Sequence, residues 1–281
     1  KTPKAAFRRI HKYLEDHPTR KKRSKKDVSI TNFSGLSDYF KKFIHVSDDS
    51  EDGLLLICSA ILSNQISGEP LWLFLVGPPG GGKTLLLQSF ADCDDVHFES
   101  SLGAKTLISG FKTQDGSDPS LLPRLIGKTL ILKDYTELMS KPAGEQEEIY
   151  GQLRGAYDGH VHRSYASGIV REYPSPDSPH DNCRFSILAG VTNAIHGDNR
   201  AALGERFLKF QMVGEGYDPV DQVRHAIDNS IKQEIPEDEL QDAALSFVEH
   251  LLDSSSSENM PPIPKWYINR IVGLSQLVAT V

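Results

Sequence analysis

The chain has 281 residues, 38% hydrophobic and 25% charged, with a net charge of −7. That balance suits a soluble globular protein of one domain, or one domain with an appendage. No apolar run approaches the length needed for a helix to span a bilayer, and a signal peptide is excluded only for what is shown. The cysteines Cys58, Cys93 and Cys183 are widely spaced and show no metal-ligand pairing. They read as buried free thiols of a reducing cytoplasm. A dense basic run, Arg20 to Lys26, reads either as a solvated linker or as a nucleic-acid contact. The chain starts without Met and ends inside an apolar periodic stretch at Val281, so a segment of a longer protein is expected.

In chain order, residues 5–15 place Ala6, Phe7, Ile10 and Leu14 at helical spacing, and His17-Pro18 ends that helix. Ser34 to Val46 reads as a helix with Leu36, Tyr39, Phe40 and Phe43 on one face. Asp48 to Ser50 offer N-caps for a further helix carrying Leu54 to Ile66. These helices are expected either beside a nucleotide base or simply packed on the core. Leu71 to Val76 is an apolar strand that runs into GPPGGGKT, Gly77 to Thr84, and then a helix. Val96 to Phe98 is a short strand, Ala104 to Ser109 a weak helix, and Thr113 to Ser120 a polar loop. Thr129 to Lys133 is a second buried strand ending at Asp134. Glu145 to Tyr157 is a helix closed by Asp158-Gly159. His160 to Tyr173 reads as a hairpin around Ser167-Gly168, followed by a loop to Asp181. Phe185 to Val191 is a third buried strand ending at Thr192-Asn193, and Leu208 to Val213 a fourth. Helices are expected at Pro219 to Ile231, Glu237 to Leu252 and Lys265 to Val281. Strands alternating with helices predict an α/β fold, a mostly parallel sheet covered on both faces.

Gly77 to Thr84 matches G-x-x-x-x-G-K-[ST]. Gly80, Gly81 and Gly82 lack side chains, so their N–H groups can close around phosphates. The helix N-terminus adds partial positive charge. Lys83 is expected to reach the β- and γ-phosphates, and Thr84 to ligate Mg²⁺. Such a loop is shared by kinases, transporter subunits, GTPases and motors. Asp134 narrows the choice: at a strand end it is placed to hold the water shell of Mg²⁺, unless it is an ordinary strand-end aspartate. Hydrolysis also needs a group to orient the attacking water. Many ATPases place Glu directly after the metal Asp; here that residue is Tyr135, and the nearest acid is Glu137. Glu137 is either the water-directing group or a helix-start residue, and with no acid in reach turnover is expected to be slow. Asn193 is expected at the γ-phosphate or as a helix cap. Arg206 reads as a guanidinium donated to a neighbouring subunit's phosphates, or as one half of a salt bridge with Glu205 or a partner further away. Arg270 is a second such arginine, acting within its own chain.

In that order these residues resemble the AAA+ ATPase family, over roughly Phe33 to Val281. The resemblance implies a P-loop NTPase with N-terminal helices and a C-terminal helical lid. The N-terminal helix and basic linker would occupy 1–32, the ATPase core 33–213 and the lid 214–281. It implies Walker A at Gly77, Gly82, Lys83 and Thr84, with Pro78, Pro79, Gly80, Gly81 and Leu85 completing the ATP-binding loop. Walker B would be Asp134, sensor 1 Asn193, the arginine finger Arg206 and sensor 2 Arg270. The segments KTLILKDYTEL, EIYGQLRGAYDGHVHRSYASG and LGERFL are similar to ATPases of mobile elements and phages, including helicase-like members. In the clade of minichromosome maintenance proteins and superfamily 3 helicases, a hairpin at this place lines a DNA pore. His162, Arg163 and Arg171 would then face the nucleic-acid backbone. The resemblance thus implies an Mg²⁺-dependent ATPase that forms a ring of six and works on DNA. Tyr135 departs from the family pattern and leaves room for a nucleotide-controlled assembly switch of a mobile element or defence system. A small-molecule kinase would leave the helical tail and Arg206 without a purpose.

Overall fold

The computed structural model describes residues 28–42, 48–65, 68–79, 81–192, 195, 203, 206–212 and 237–254. The expected elements at 5–15, 219–231 and 265–281, and the basic run, lie outside the described residues. The strands are β1 (Trp72–Val76), β2 (Val96–Glu99), β3 (Thr129–Leu132), β4 (Val161–Ser164), β5 (Val170–Tyr173), β6 (Ser186–Val191) and β7 (Phe207–Gln211). The described helices are α1 (Phe33–Lys41), α2 (Asp48–Ser63), α3 (Lys83–Gln88), α4 (Ala104–Leu107), α5 (Leu122–Leu125), α6 (Tyr135–Ser140), α7 (Ala143–Asp158) and α8 (Glu237–Ser254).

Five strands form one sheet in the order β2-β3-β6-β1-β7, and every pairing is parallel. Parallel neighbours need crossovers, and the crossovers carry the helices that cover the sheet. Side chains alternate between faces along each strand, so β1, buried at all five positions, feeds two cores. Trp72, Phe74 and Val76 join Leu130, Leu132, Ile187 and Ala189 on one face. Leu73 and Leu75 join Ile131 and Leu188 on the other. The first face is closed by α4 to α7, through Leu107, Leu125, Leu138, Ile149 and Leu153. The second is closed by α1, α2, α3 and α8, through Leu36, Phe40, Ile57, Leu86 and Phe247. The expected mostly parallel, helix-flanked α/β architecture is therefore the observed one.

Local chemistry sets the element ends. The Asn32 side chain caps α1 by accepting from the Gly35 N–H at 2.8 Å. Gly159, at φ 99, ends α7 in the left-handed conformation and returns its N–H to Gly155 and Ala156. Two helices escape the apolar periodicity. The short α5 has Pro123 in its first turn. In α6 the capping residue is Asp134 itself, with Glu137 three residues on, the spacing of a capping box. The N-terminal helices α1 and α2 pack on the core. Of the expected 214–281 lid, the described part is α8, and it too belongs to the second core. It is tied to α1 and its approach by Ile30 N–H to Ser246 Oγ at 3.1 Å and Tyr39 Oη to Glu239 Oε2 at 3.2 Å.

The tightest aromatic packing lies under β1. The Phe74 ring stacks on Phe207 with centroids 4.0 Å apart and meets Tyr135 edge-on at 4.6 Å. Truncation there removes both contacts and leaves a cavity the sheet cannot close. Phe74→Ala is expected to cost about 3–5 kcal/mol, read from the urea midpoint at an unchanged slope.

Candidate phosphate-binding site

Because the strands run in parallel, the ends of β1, β2, β3, β6 and β7 share one edge of the sheet. From β1 the chain crosses to one side, to β2; after β6 it crosses to the other, to β7. Ligands of open α/β sheets bind where the direction of crossing reverses, at the carboxyl ends of the strands. Gly77 to Thr84 follow β1 at that place, with the end of β6 beside them and the end of β3 one strand further.

The loop is fastened at its start, where the Gly77 N–H donates to Val191 O of β6 at 3.2 Å. It then turns tightly, with the Gly81 N–H donating to Pro78 O at 3.2 Å. A Cβ on Gly81 would stand 3.2 Å from that carbonyl oxygen, and Gly82 holds φ +75 as it caps α3 without a side chain. The Gly82 position therefore needs glycine, and a side chain at Gly81 would force the Pro78 carbonyl to give by a few tenths of an ångström. The N–H groups of Lys83, Thr84 and Leu85 open α3 and have no partner within the helix.

Lys83 is only 8% exposed, and its side chain folds back into this turn. Its Nζ donates to Gly77 O at 2.9 Å and to Pro78 O at 2.6 Å. Burial pushes the ammonium pKa down, and the charge of Asp134 works against that shift. Loop lysine and strand-end carboxylate, 51 positions apart in the chain, thus lie within electrostatic reach. Asp134 is exposed at the end of β3, and its Oδ1 accepts from the Thr136 N–H at 2.8 Å. Asp134 thus has a structural role of its own as the cap of α6, at the strand-end position the sequence reading gave it. The next residue, Tyr135, turns into the first core and is 3% exposed. Glu137 is exposed on the first turn of α6.

Thr84 and Asp134 are both exposed. A hydroxyl and a carboxylate are the hard oxygen donors Mg²⁺ takes, and Mg²⁺ typically completes its shell with substrate phosphates and water. No group of three or more His, Cys, Asp or Glu that would hold a metal alone occurs among the described residues. In kind, Thr84 and Asp134 fit Mg²⁺ that takes its remaining oxygens from a phosphate ligand and water. Gly80, Asn193 and Arg270 lie outside the described residues.

Arg206 sits at the opposite edge. It immediately precedes β7, whose Phe207 is in register with Trp72 at the start of β1. The five residues of β1 separate it from the loop by about 16 Å. Its Nη2 contacts Asp158 Oδ1 at 3.3 Å and its guanidinium lies 5.2 Å from the Tyr157 ring centroid. The salt bridge weighed from sequence is thus present, with Asp158 as its partner.

The hairpin β4–β5 is an antiparallel pair standing outside the main sheet. His162 is exposed. Arg163 pairs with Glu148 of α7 and lies over the Tyr165 ring at 5.1 Å. Arg171 points inward, 8% exposed. It donates to Ser109 O at 2.9 Å and to Phe111 O, and contacts Asp118 Oδ1 at 3.1 Å. As placed, Arg171 anchors the hairpin to the segment before α5 and does not face outward, so of the three only His162 is both exposed and uncommitted to a carboxylate. Sequence reading missed Tyr157, Asp158 and Asp118, each a partner of a nominated arginine.

No protein-family model matches the chain, and no curated protein matches it in sequence. Among solved structures it is similar to the apo A form of the NrS-1 C-terminal region, at 12% identity and a TM-score of 0.33. The match covers 83% of this chain and 53% of that one, so the chain spans about half the length of that structure. No helix among the described residues is long and apolar enough to cross a membrane. All three cysteines are free and buried.

The capping role of Asp134 is read by substitution. Asn caps as well as Asp, so Asp134→Asn is expected to leave stability within about 0.5 kcal/mol while Asp134→Ala loses about 1 kcal/mol. Thermal denaturation of the two variants side by side reads the difference.

Proposed function

We propose that this chain is an Mg²⁺-dependent ATPase of the AAA+ type that works as a ring-shaped homo-oligomer on DNA. The observation that carries the reading is Lys83 folded into its glycine loop at the carboxyl edge of the sheet, with Asp134, after the strand two places away, near enough for its charge to act on the ammonium. A loop of bare amides with one ammonium binds a triphosphate. A carboxylate two strands away, within reach of that ammonium, is what a nucleotide–metal site requires beside it. The strand order adds support, since β6 between β1 and β3 brings the end of β6 against both.

In this reading the loop N–H groups and Lys83 hold the phosphate chain. Lys83 then exchanges two neutral carbonyl acceptors for charged phosphate oxygens, which form the stronger hydrogen bonds. Thr84 and Asp134 would hold Mg²⁺, which supplies charge neutralisation at the phosphates. Glu137, on the first turn of α6, is the acid nearest Asp134 in sequence for directing water, and Asn193 is the expected contact to the γ-phosphate. Arg206 is too far from its own loop to act there. It serves a neighbour's phosphates, and assembly becomes part of catalysis. On the DNA side the reading rests on the hairpin, with His162 outward and Arg163 held by Glu148.

One observation favours a second reading. The residue after Asp134 is a buried tyrosine and not an acid. A nucleotide-controlled assembly switch with slow hydrolysis accommodates that directly. Stimulation of ATP turnover by single-stranded DNA separates the two readings, since a switch shows nucleotide-dependent assembly without it.

Lys83→Ala is expected to abolish ATP binding in a fluorescence or calorimetric titration; unchanged affinity overturns the assignment of the loop. Specific ATPase activity is expected to rise with protein concentration. Arg206→Ala is expected to lower kcat by about 10³-fold or more, with ATP affinity unchanged. Activity independent of concentration and indifferent to Arg206 contradicts the shared site.

A further inference from the structure

Arg206 is held in an unusual way for a half-buried arginine. Its Nε is buried and finds no hydrogen-bond partner among the described residues. Its carboxylate contact among the described residues, to Asp158, is long at 3.3 Å, and the Asp158 side chain is itself 63% exposed. Such a pair holds a guanidinium weakly. The firmer support is the Tyr157 ring beneath it.

That ring is fixed from three directions. Trp72 meets it edge-on, with centroids 5.0 Å apart and planes at 80°. Its hydroxyl donates to Glu69 Oε2 at 3.1 Å. Its backbone carbonyl accepts from Arg184 Nε at 3.1 Å, and Arg184 reaches on to Gly68 O at 2.8 Å. Trp72 is the first residue of β1, so the platform under Arg206 is built on the strand that carries the phosphate loop at its other end. A cation–π contact uses none of the five N–H donors of arginine. It fixes where the guanidinium sits and leaves its N–H fork for an anion.

We propose that Tyr157 is the positioning residue of Arg206, presenting its N–H fork to the triphosphate bound by an adjoining copy of this chain. The inference rests on the proposed shared site. The aromatic face does the positioning and the hydroxyl braces the ring; Asp158 is a weak tether that a phosphate can replace.

The test uses Tyr157→Leu, which removes the ring face, and Tyr157→Phe, which keeps it and removes the brace. Tyr157→Leu is expected to lower kcat about tenfold, in line with a partly desolvated cation–π contact, with ATP affinity unchanged. Tyr157→Phe is expected to restore most of the loss. Mixing then decides whether the effect is on presentation to a neighbour. Lys83→Ala subunits lack the loop cation but keep Tyr157 and Arg206. Mixed with Tyr157→Leu subunits, whose loop is intact, they are expected to give more activity than either alone, as they do with Arg206→Ala. Wild-type kcat in Tyr157→Leu overturns the proposal. So does a Tyr157→Leu defect that the mixture does not relieve while the Arg206→Ala mixture is relieved; the ring is then a support of the fold only. Failure of the Arg206→Ala mixture itself marks the shared site as wrong and takes the inference with it.

Discussion

An ammonium group folded into a turn of nearly bare backbone is the interaction around which the rest of this molecule is arranged. Taking Lys83 out of water is unfavourable, and two carbonyl acceptors of its own loop and the charge of Asp134 offset that penalty. None of these partners could be in place unless β1 were anchored on both faces and β3 lay two strands away with β6 between. The hydrophobic alternation of β1 therefore does more than bury apolar surface. It fixes the height at which the loop emerges and the distance to the carboxylate that faces it.

Asp134 and Tyr135 show how sharply a strand end divides its residues. Asp134 stays in water, caps α6 and lies within electrostatic reach of Lys83. Tyr135, one position on, enters the aromatic packing of Phe74 and Phe207. An acid at that position would have to be buried in the same place or pull α6 away from the core. The sequence departure at Tyr135 is thus matched by a packing role.

Much of this was legible in the sequence because the signals are local. Four main-sheet strands were visible as apolar runs bounded by turn residues, and the fifth, β2, as a short run at Val96 to Phe98. The loop was visible because glycine suits the tight space at Gly81 and is needed for the backbone angle at Gly82. What could not be read was how distant segments meet. Arg171 and Asp118 lie 53 positions apart and Arg206 and Asp158 lie 48 apart; no period or spacing marks such pairs. An arginine on a hairpin looks the same in sequence whether it faces a ligand or an internal carboxylate. Helix α6 was legible only as the alternative reading of Glu137 as a helix-start residue: at six residues it is too short to show a period, although its Asp134-to-Glu137 capping spacing is a local signal.

The positions of the two principal cations follow from chain direction alone. In a parallel sheet a residue after one strand and a residue before its neighbour lie at opposite edges, whatever their identity. Lys83 comes after β1 and Arg206 before β7, and the two strands are paired in register from Trp72 and Phe207. No side-chain rearrangement short of unpairing β7 brings the Arg206 fork to the loop of its own chain. If Arg206 acts on phosphate at all, the phosphate must belong to another molecule. In an assembly where the amino edge of one sheet faces the carboxyl edge of the next, such contacts would be head-to-tail, giving a ring where the rotation closes and an open helical filament where it does not.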